Sequence, residues 1–334
     1  QAAFLPARAR FLHLMGLLAG KWPHTLALQP GGTTKSIDAG EKVRLLSILH
    51  EFRSHLEGDL LGGPLEEIAA LENAQALFAL GERRPGADLS LFLTAARDLG
   101  LERAGRAHDR FMSAGAFGLF KDGLWDDGRP APLDLGTITE DPAHAWLSGA
   151  SAHPARGRTL PDALKPDAYT WCKAPRLSGR PVEVGALARQ VIDGHPLLRD
   201  LVATNGGGVL ARIAARMVET ARLLPAMESW VRALAPREPY CLPCPPLETG
   251  AGLGLVEAAR GTLGHWLTVA DNRIANYQIV APTTWNFSPR DAAGQPGPLE
   301  TALIGLPASD DGRASAMVHH VVRSFDPCMA CTVH

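Results

Sequence analysis

The chain has 334 residues, with 33 Lys+Arg against 35 Asp+Glu and a formal charge of −2. This near-neutral balance leaves no electrostatic footprint for nucleic acid. Hydrophobic residues at 46% and charged residues at 20% describe a chain that folds around a sizeable core. It has no apolar run of the roughly 18 residues that a membrane helix needs.

The length fits one large domain or two ordinary ones, and 34 Gly with 26 Pro imply long ordered loops. The chain begins with Gln1 rather than Met and shows no basic–apolar–small leader, which points to sequence upstream. From Glu41, residues Val43, Leu46, Leu49, Phe52 and Leu56 recur at three- and four-residue steps. They predict one buried face of a helix, with Ser36 or Asp38 to cap its start. Segments 64–80 and 184–193 also read as helical. A stronger helix runs from Val209 to Leu224, with Leu210, Ile213, Met217 and Leu224 inward and Arg212, Arg216 and Glu219 outward. Pro225 kinks or ends it. Residues 266–269, the pair Asp271-Asn272 and residues 274–280 read as a hairpin, the Asp-Asn pair suiting its turn. Pro/Gly-rich stretches at 152–168, 236–254 and 288–298 read as loops, and no internal repeat is present. The expectation is a mainly helical α+β chain with one core, a single domain over 1–334.

Five cysteines, Cys172, Cys241, Cys244, Cys328 and Cys331, make a poor disulfide framework. Four of them form two C-x-x-C pairs, a spacing that lets two thiolates converge on one metal. The second pair ends the chain as Asp326-Pro327-Cys328-Met329-Ala330-Cys331-Thr332-Val333-His334. Chain ends usually fray, so this concentration of ligands predicts a tail tied down inside. Thiolates with an imidazole favour zinc, iron–sulfur centres, nickel or copper(I) over magnesium or calcium. From the residues alone, Cys241 and Cys244 could complete a four-thiolate structural zinc site with Cys328 and Cys331. A thioredoxin-type dithiol lacks its strand–helix context. Cys172 reads as a buried small apolar residue.

The tail resembles the carboxyl terminus of the large subunit of nickel–iron hydrogenases, in which a maturation protease cuts after this histidine once nickel is inserted. Further stretches match in order: Gly20-Lys21-Trp22-Pro23-His24 with Gly31-Gly32, and Ile138-Thr139-Glu140-Asp141 with His144 and Trp146. Lys173-Ala174-Pro175-Arg176, the run from Glu257 through Arg260 to Trp266, and the run from Ala281 through Thr283 to Arg290 complete the set. The resemblance covers nearly the whole chain. It implies the hydrogenase large-subunit fold, with a central helix bundle and small peripheral β-hairpins.

The family centre is a nickel and an iron bridged by two cysteine sulfurs, the iron also carrying carbon monoxide and cyanide. The resemblance assigns Cys331 to a bridging thiolate and Cys328 to a terminal nickel thiolate. A bridging sulfur has little basicity left, whereas a terminal thiolate can accept a proton, so Cys328 is the expected proton acceptor in dihydrogen cleavage. Arg260 matches the arginine over the site. A guanidinium keeps its proton in proteins, which argues against a resting-state base and for hydrogen bonding to a cyanide with electrostatic preorganisation. In many relatives a proline precedes this arginine, and here Ala259 does. Thr283 matches the hydroxyl that hydrogen-bonds the second cyanide, while Pro282 and Ala281 wall the iron ligands. Asp326 either helps orient Arg260 or N-caps a short turn. His334, with the main-chain carbonyl of Ile279, matches the ligands of a buried magnesium ion that anchors the tail. His24, His144 and His265 read as core or hydrogen-bonding residues. Cys241 and Cys244 have no family counterpart and read as a chance pair, a redox-sensitive pair or an extra metal site.

The family's Arg-x-Cys-Gly-x-Cys motif, which supplies two further thiolates, does not occur here. The sequence is therefore expected to lack the N-terminal third of a longer subunit, including its proton-relay glutamate. The implied function is a hydrogenase large subunit that splits dihydrogen and passes electrons to an iron–sulfur small subunit. The resemblance is also compatible with a higher oligomer of heterodimers, and with a cytoplasmic complex, peripheral to a membrane through its partner. Arg323-Ser324-Phe325 and residues 257–260 and 286–290 resemble the branch that holds uptake enzymes and hydrogen sensors. A sensor with the same site and a zinc-stabilised protein are the alternatives.

Overall fold

The computed structural model describes residues 4–245, 247–306 and 312–328. They fall into two compact units, one of Gln1–Leu71, Phe78–Thr94 and Met217–Pro246, the other of Glu72–Leu77, Ala95–Arg216 and Leu247–His334.

The first unit is helical. Helix Ala39–His55 starts at Asp38, which accepts the Glu41 amide while Glu41 reaches back to the Asp38 amide, a reciprocal capping box. Its buried residues are Leu45 and Leu49, continued by Leu56. Val43, expected inward, is 66% exposed. The buried stripe runs through Leu45, Leu49 and Leu56, and at about 3.6 residues per turn Val43 falls on the opposite side of the helix. Phe52 stacks on Phe11 with ring centroids 4.1 Å apart. Lys42 Nζ donates to the carbonyls of Arg232 and Leu234 at 2.6 and 2.7 Å, satisfying acceptors at a helix end.

The long helix Val209–Ala233 carries Pro225 within it, so the proline does not end it. Arg212 and Glu219, expected outward, are buried at 3% and 7% exposure. A pattern of residue classes treats any arginine as a solvent residue, yet Arg212 goes inside because Glu183 waits there. The helical segment expected over 64–80 is broken: Leu65–Ala69 and Ala74–Arg83 are separate helices. Asn73 Oδ1 accepts the Ala76 amide at the start of the second.

The second unit supports its site on small antiparallel sheets. Strands Gly261–Ala270 and Arg273–Val280 form the expected hairpin, with Asp271 and Asn272 at φ +52° and +56°, as a type I′ turn requires. A third strand, Gly250–Ala258, joins the far side of Gly261–Ala270, its first half inside the stretch 236–254 read as loop. Its glycines and short side chains hide the strand from a propensity count. A second sheet orders Phe111–Ala116, Phe120–Asp126 and Arg129–Ala131. Met112, Leu124, Ile138, Leu177, Val184, Trp266 and Trp285 form one buried cluster. Helix Ala186–Asp193 also lies in this unit, within the expected span.

Beneath this cluster Arg176 donates through Nε to Asp291 Oδ2 at 2.7 Å. Asp291 Oδ1 also accepts the amides of Ala293 and Gln295, both at 3.0 Å. Burial alone would raise the Asp291 carboxyl, but the Arg176 guanidinium and these amides outweigh it and hold it below the ordinary range.

Two outcomes follow. Asp38→Ala loses the cap and is expected to cost about 1 kcal/mol, read as a lower denaturation midpoint at unchanged slope. A lowered folded pKa makes the Asp291 contribution complete above its unfolded value and lost as pH falls through the folded one. The loss of thermal midpoint in Asp291→Asn should therefore be full at neutral pH and shrink below about pH 4.

Candidate active site

The structure gathers four of the expected residues, Arg260, Thr283, Asp326 and Cys328, at the end of the carboxyl-terminal helix. That helix, Gly312–Ser324, closes into a turn in which the Asp326 amide donates to the Arg323 carbonyl at 3.0 Å. Asp326 sits at φ +53°, a left-handed position that Asp tolerates better than most residues. It therefore follows a helix end and does not N-cap a turn. The backbone reversal there delivers Cys328, whose amide donates to Thr283 Oγ1 at 3.3 Å.

Thr283 comes from a buried helix of one and a half turns, Pro282–Asn286, with Ala281 at its N-cap. Proline at the first helical position has no amide to waste there. Asn286 locks this helix to its neighbour, since its Oδ1 accepts the Val184 amide at 3.0 Å and its Nδ2 donates to the Val184 carbonyl at 2.9 Å.

Arg260 stands at the tip of a two-residue hairpin, because Ala258 pairs with Gly261. Arg189, buried, donates to the tip carbonyls of Ala258 and Ala259, each at 3.0 Å, and to Glu257 Oε2 at 2.6 Å. Glu257 also accepts the Ala114 amide at 2.9 Å and the Thr262 hydroxyl. Gly261, at φ +129°, has no room for a Cβ, which would lie 2.5 Å from Val184 Cγ2 and 2.7 Å from the Gly185 amide nitrogen. The hairpin tip is thus pinned against segment 183–185. From it the Arg260 guanidinium reaches the tail: Nε donates to the Asp326 carbonyl at 3.0 Å, and Nη2 lies 3.5 Å from Asp326 Oδ1. Both side chains are 40% exposed, so the pair orients more than it stabilises.

A small cavity of about 20 Å³ opens between these elements, lined by Glu183, Arg212, Arg260, Asn286, Phe325 and Asp326. It has room for about one water-sized molecule. Burial pushes the Glu183 carboxyl up, with Arg212 pulling it back.

The structure thus brings Arg260, Asp326, Thr283 and Cys328 together, with Pro282 and Ala281 buried beside them. Cys331 and His334 lie outside the described residues. Ile279 lies one residue before the end of strand Arg273–Val280, opposite His265, and is 48% exposed. His265 Nδ1 shares a 2.7 Å hydrogen bond with the Tyr277 hydroxyl, and His144 Nδ1 one of 3.1 Å with the Asp167 carbonyl. His24 is exposed, in the left-handed region at φ +57°. Cys241 lies against the Leu28–Thr33 turn, bridged to Gly32 and receiving the Gln29 side-chain amide at 3.4 Å. Among the described residues no group of three or more His, Cys, Asp or Glu converges as a metal site. Cys172 is buried, and burial pushes its thiol up. Glu183, Arg189 and Arg212 were missed by sequence reasoning. Their signal was faint: Glu183 interrupts the apolar run from Val182 to Val184, and the two arginines sit where an amphipathic pattern places solvent-facing residues.

A sequence model described as nickel-dependent hydrogenase matches residues 3–334. The periplasmic [NiFeSe] hydrogenase large subunit of Desulfomicrobium baculatum is 34% identical over 236 residues, covering 65% of this chain and 46% of that protein. The uptake hydrogenase large subunit of Rubrivivax gelatinosus is 30% identical over 292 residues, covering 65% and 45%. The chain thus spans less than half the length of these relatives. Among solved structures, a chain of the Ni-Fe-Se hydrogenase from D. vulgaris Hildenborough superposes with a TM-score of 0.82 at 28% identity, over 99% of this chain and 69% of that one. No helix among the described residues is long and apolar enough to cross a membrane. The match along almost all of its length makes this chain a member of the nickel-dependent hydrogenase family.

Proposed function

We propose that the chain is part of the large subunit of a nickel–iron hydrogenase that oxidises dihydrogen to two protons and two electrons. The observation that carries this reading is the convergence of Arg260, Asp326, Thr283 and Cys328 at the turn that begins the thiolate tail. The donor chemistry fits half of a dinuclear thiolate centre. Cys328 and Cys331 offer soft sulfurs, and a guanidinium and a hydroxyl beside Cys328 suit small anionic ligands on a metal. The other two thiolates would come from polypeptide outside these 334 residues, because the Arg-x-Cys-Gly-x-Cys motif does not occur in them and Cys241 is already engaged with the Leu28–Thr33 turn. His334 and the Ile279 carbonyl would hold magnesium.

When bound, a nickel–iron centre carrying carbon monoxide and cyanide would supply the hydride acceptor for heterolytic cleavage of the H–H bond, the other hydrogen leaving as the proton. The chain's own residues handle the proton and the field. Cys328 Sγ takes one proton. Arg260 stays charged, and its position is set by Asp326 on one side and the Arg189-held hairpin tip on the other. It therefore supplies positive potential without reorganising. Thr283 fixes the Cys328 amide and so the direction in which the thiolate leaves the backbone. Electrons leave through an iron–sulfur small subunit, since the chain's five cysteines include no cluster-binding set beyond the tail. Uptake is favoured over hydrogen sensing because named relatives are uptake enzymes.

In the purified complex, about one nickel per chain with infrared bands of carbon monoxide and cyanide is expected; a competently matured complex with neither would sink the reading. Arg260→Lys should keep nickel and lower the rate of hydrogen-dependent dye reduction by on the order of 10²-fold, the usual cost of one preorganised donor. Cys328→Ser should abolish turnover and reduce nickel content.

A further inference from the structure

The chemistry above leaves one buried charged assembly unused. Arg212 and Glu183 face each other as two parallel hydrogen bonds, Nε to Oε1 at 2.7 Å and Nη2 to Oε2 at 2.8 Å, with both side chains at most 4% exposed. The remaining nitrogen of Arg212, Nη1, donates to the Gly105 carbonyl at 2.8 Å and to Ser324 Oγ at 3.2 Å. Its guanidinium carbon lies 3.6 Å from the centroid of the Phe325 ring, within cation–π range. One turn further along the same helix, Arg216 Nη1 donates to the Ser324 carbonyl at 2.6 Å. Two arginines thus grip the hydroxyl, the carbonyl and the neighbouring ring of the residues just before Asp326.

The carboxylate that aims Arg212 is itself fixed. The Glu183 amide donates to the Arg110 carbonyl at 2.8 Å, and its carbonyl accepts the Met112 amide at 3.0 Å. The next residue, Val184, has both main-chain groups bound by Asn286, on the helix that carries Thr283. Gly185, at φ +126°, runs so close to the hairpin tip that a Cβ would lie 3.1 Å from the Arg260 carbonyl oxygen. Three consecutive residues therefore touch the tail clamp, the Thr283 helix and the Arg260 hairpin.

We propose that Arg212, aimed by Glu183, is a positioning residue for the Asp326–Cys328 turn. It sets where the Cys328 thiolate and Asp326 stand relative to Arg260, and it touches none of the reacting atoms. An apolar pair of similar volume would pack as stably. Only a planar fork, however, fixes the direction of the Ser324 contact and of the stack on Phe325. The inference rests on the reading of Cys328 as the proton-accepting thiolate.

The test compares Arg212→Lys, which keeps the charge and loses the fork, with Ser324→Ala, which leaves the ion pair intact and removes its contact to the tail. Hydrogen exchange on the full chain before metal insertion should show the amides of Phe325, Asp326 and Cys328 exchanging about tenfold faster in both variants, with the rest of the unit unchanged. In the matured complex, nickel content should hold, the cyanide infrared bands should shift, and kcat should fall about tenfold with KM for dihydrogen within about twofold. Unchanged exchange at the tail, or uniform acceleration across the chain, would overturn the proposal. If Arg212→Lys does not assemble, Ser324→Ala alone decides between these outcomes. The exchange result needs no metal, so it stands apart from a failure of the hydrogenase reading, which would appear as wild-type complex without nickel or infrared bands.

Discussion

A carboxylate and a guanidinium withdrawn from water each lose several kcal/mol of hydration, recovered only when the geometry between them is nearly ideal. Glu183 and Arg212 meet that condition with two short parallel contacts in the interior. The remaining N–H groups of Arg212 then have to find acceptors, since an unsatisfied buried donor is costly. They find them at Gly105 and Ser324. This requirement couples a loop, the long helix and the carboxyl-terminal helix at one guanidinium. The pair contributes little net stability for its charge, and its value lies in leaving few alternative arrangements for the turn that follows Ser324.

The hairpin tip bearing Arg260 is held on the same principle with different chemistry. Arg189 satisfies its tip carbonyls and Glu257 satisfies Arg189, so a second buried ion pair freezes a two-residue turn. Gly261 and Gly185 allow the tip to touch segment 183–185 at backbone distance. A side chain at either position would push the hairpin away from the tail and lengthen the 3.0 Å contact from Arg260 to Asp326. Backbone clearance therefore governs the position of a charge that electrostatic catalysis needs fixed in advance.

Much of this was legible in the sequence where chemistry is local. Asp38 and Glu41 three residues apart signal a capping box, and the structure forms one. Asp271-Asn272 between apolar runs signals a type I′ hairpin, which also forms. The tail motif pointed to Cys328, which the structure sets beside Thr283. The missed features share one property, that their meaning lies in a distant partner. Arg212 looks like any solvent-facing arginine on a helix until Glu183, 29 residues away, is seen to meet it. Strand Gly250–Ala258 looks like loop because its pairing with Gly261–Ala270, and not the propensity of its glycines, makes it a strand. Val43 fitted a three-residue step to Leu46, but the stripe that is buried passes through Leu45 and Leu49 and leaves Val43 on the far side.

The site's components differ in how far along the chain their constraints come from. The turn that bears Arg260 is closed by a pair two residues wide, and Thr283 sits on a single short helix. Their settings come from further off: Arg189 holds the hairpin tip across 70 residues, and Val184 holds the Thr283 helix across 102. Cys328 meets Thr283 across 45 residues, and its turn depends on arginines more than 100 residues upstream. Long-range contacts thus set the cationic and hydroxyl wall and, through Arg212 and Arg216, the turn that brings Cys328 to it. The guanidinium and the hydroxyl are held by the protein's own buried hydrogen bonds, so the polar part of the site is organised before any ligand reaches it.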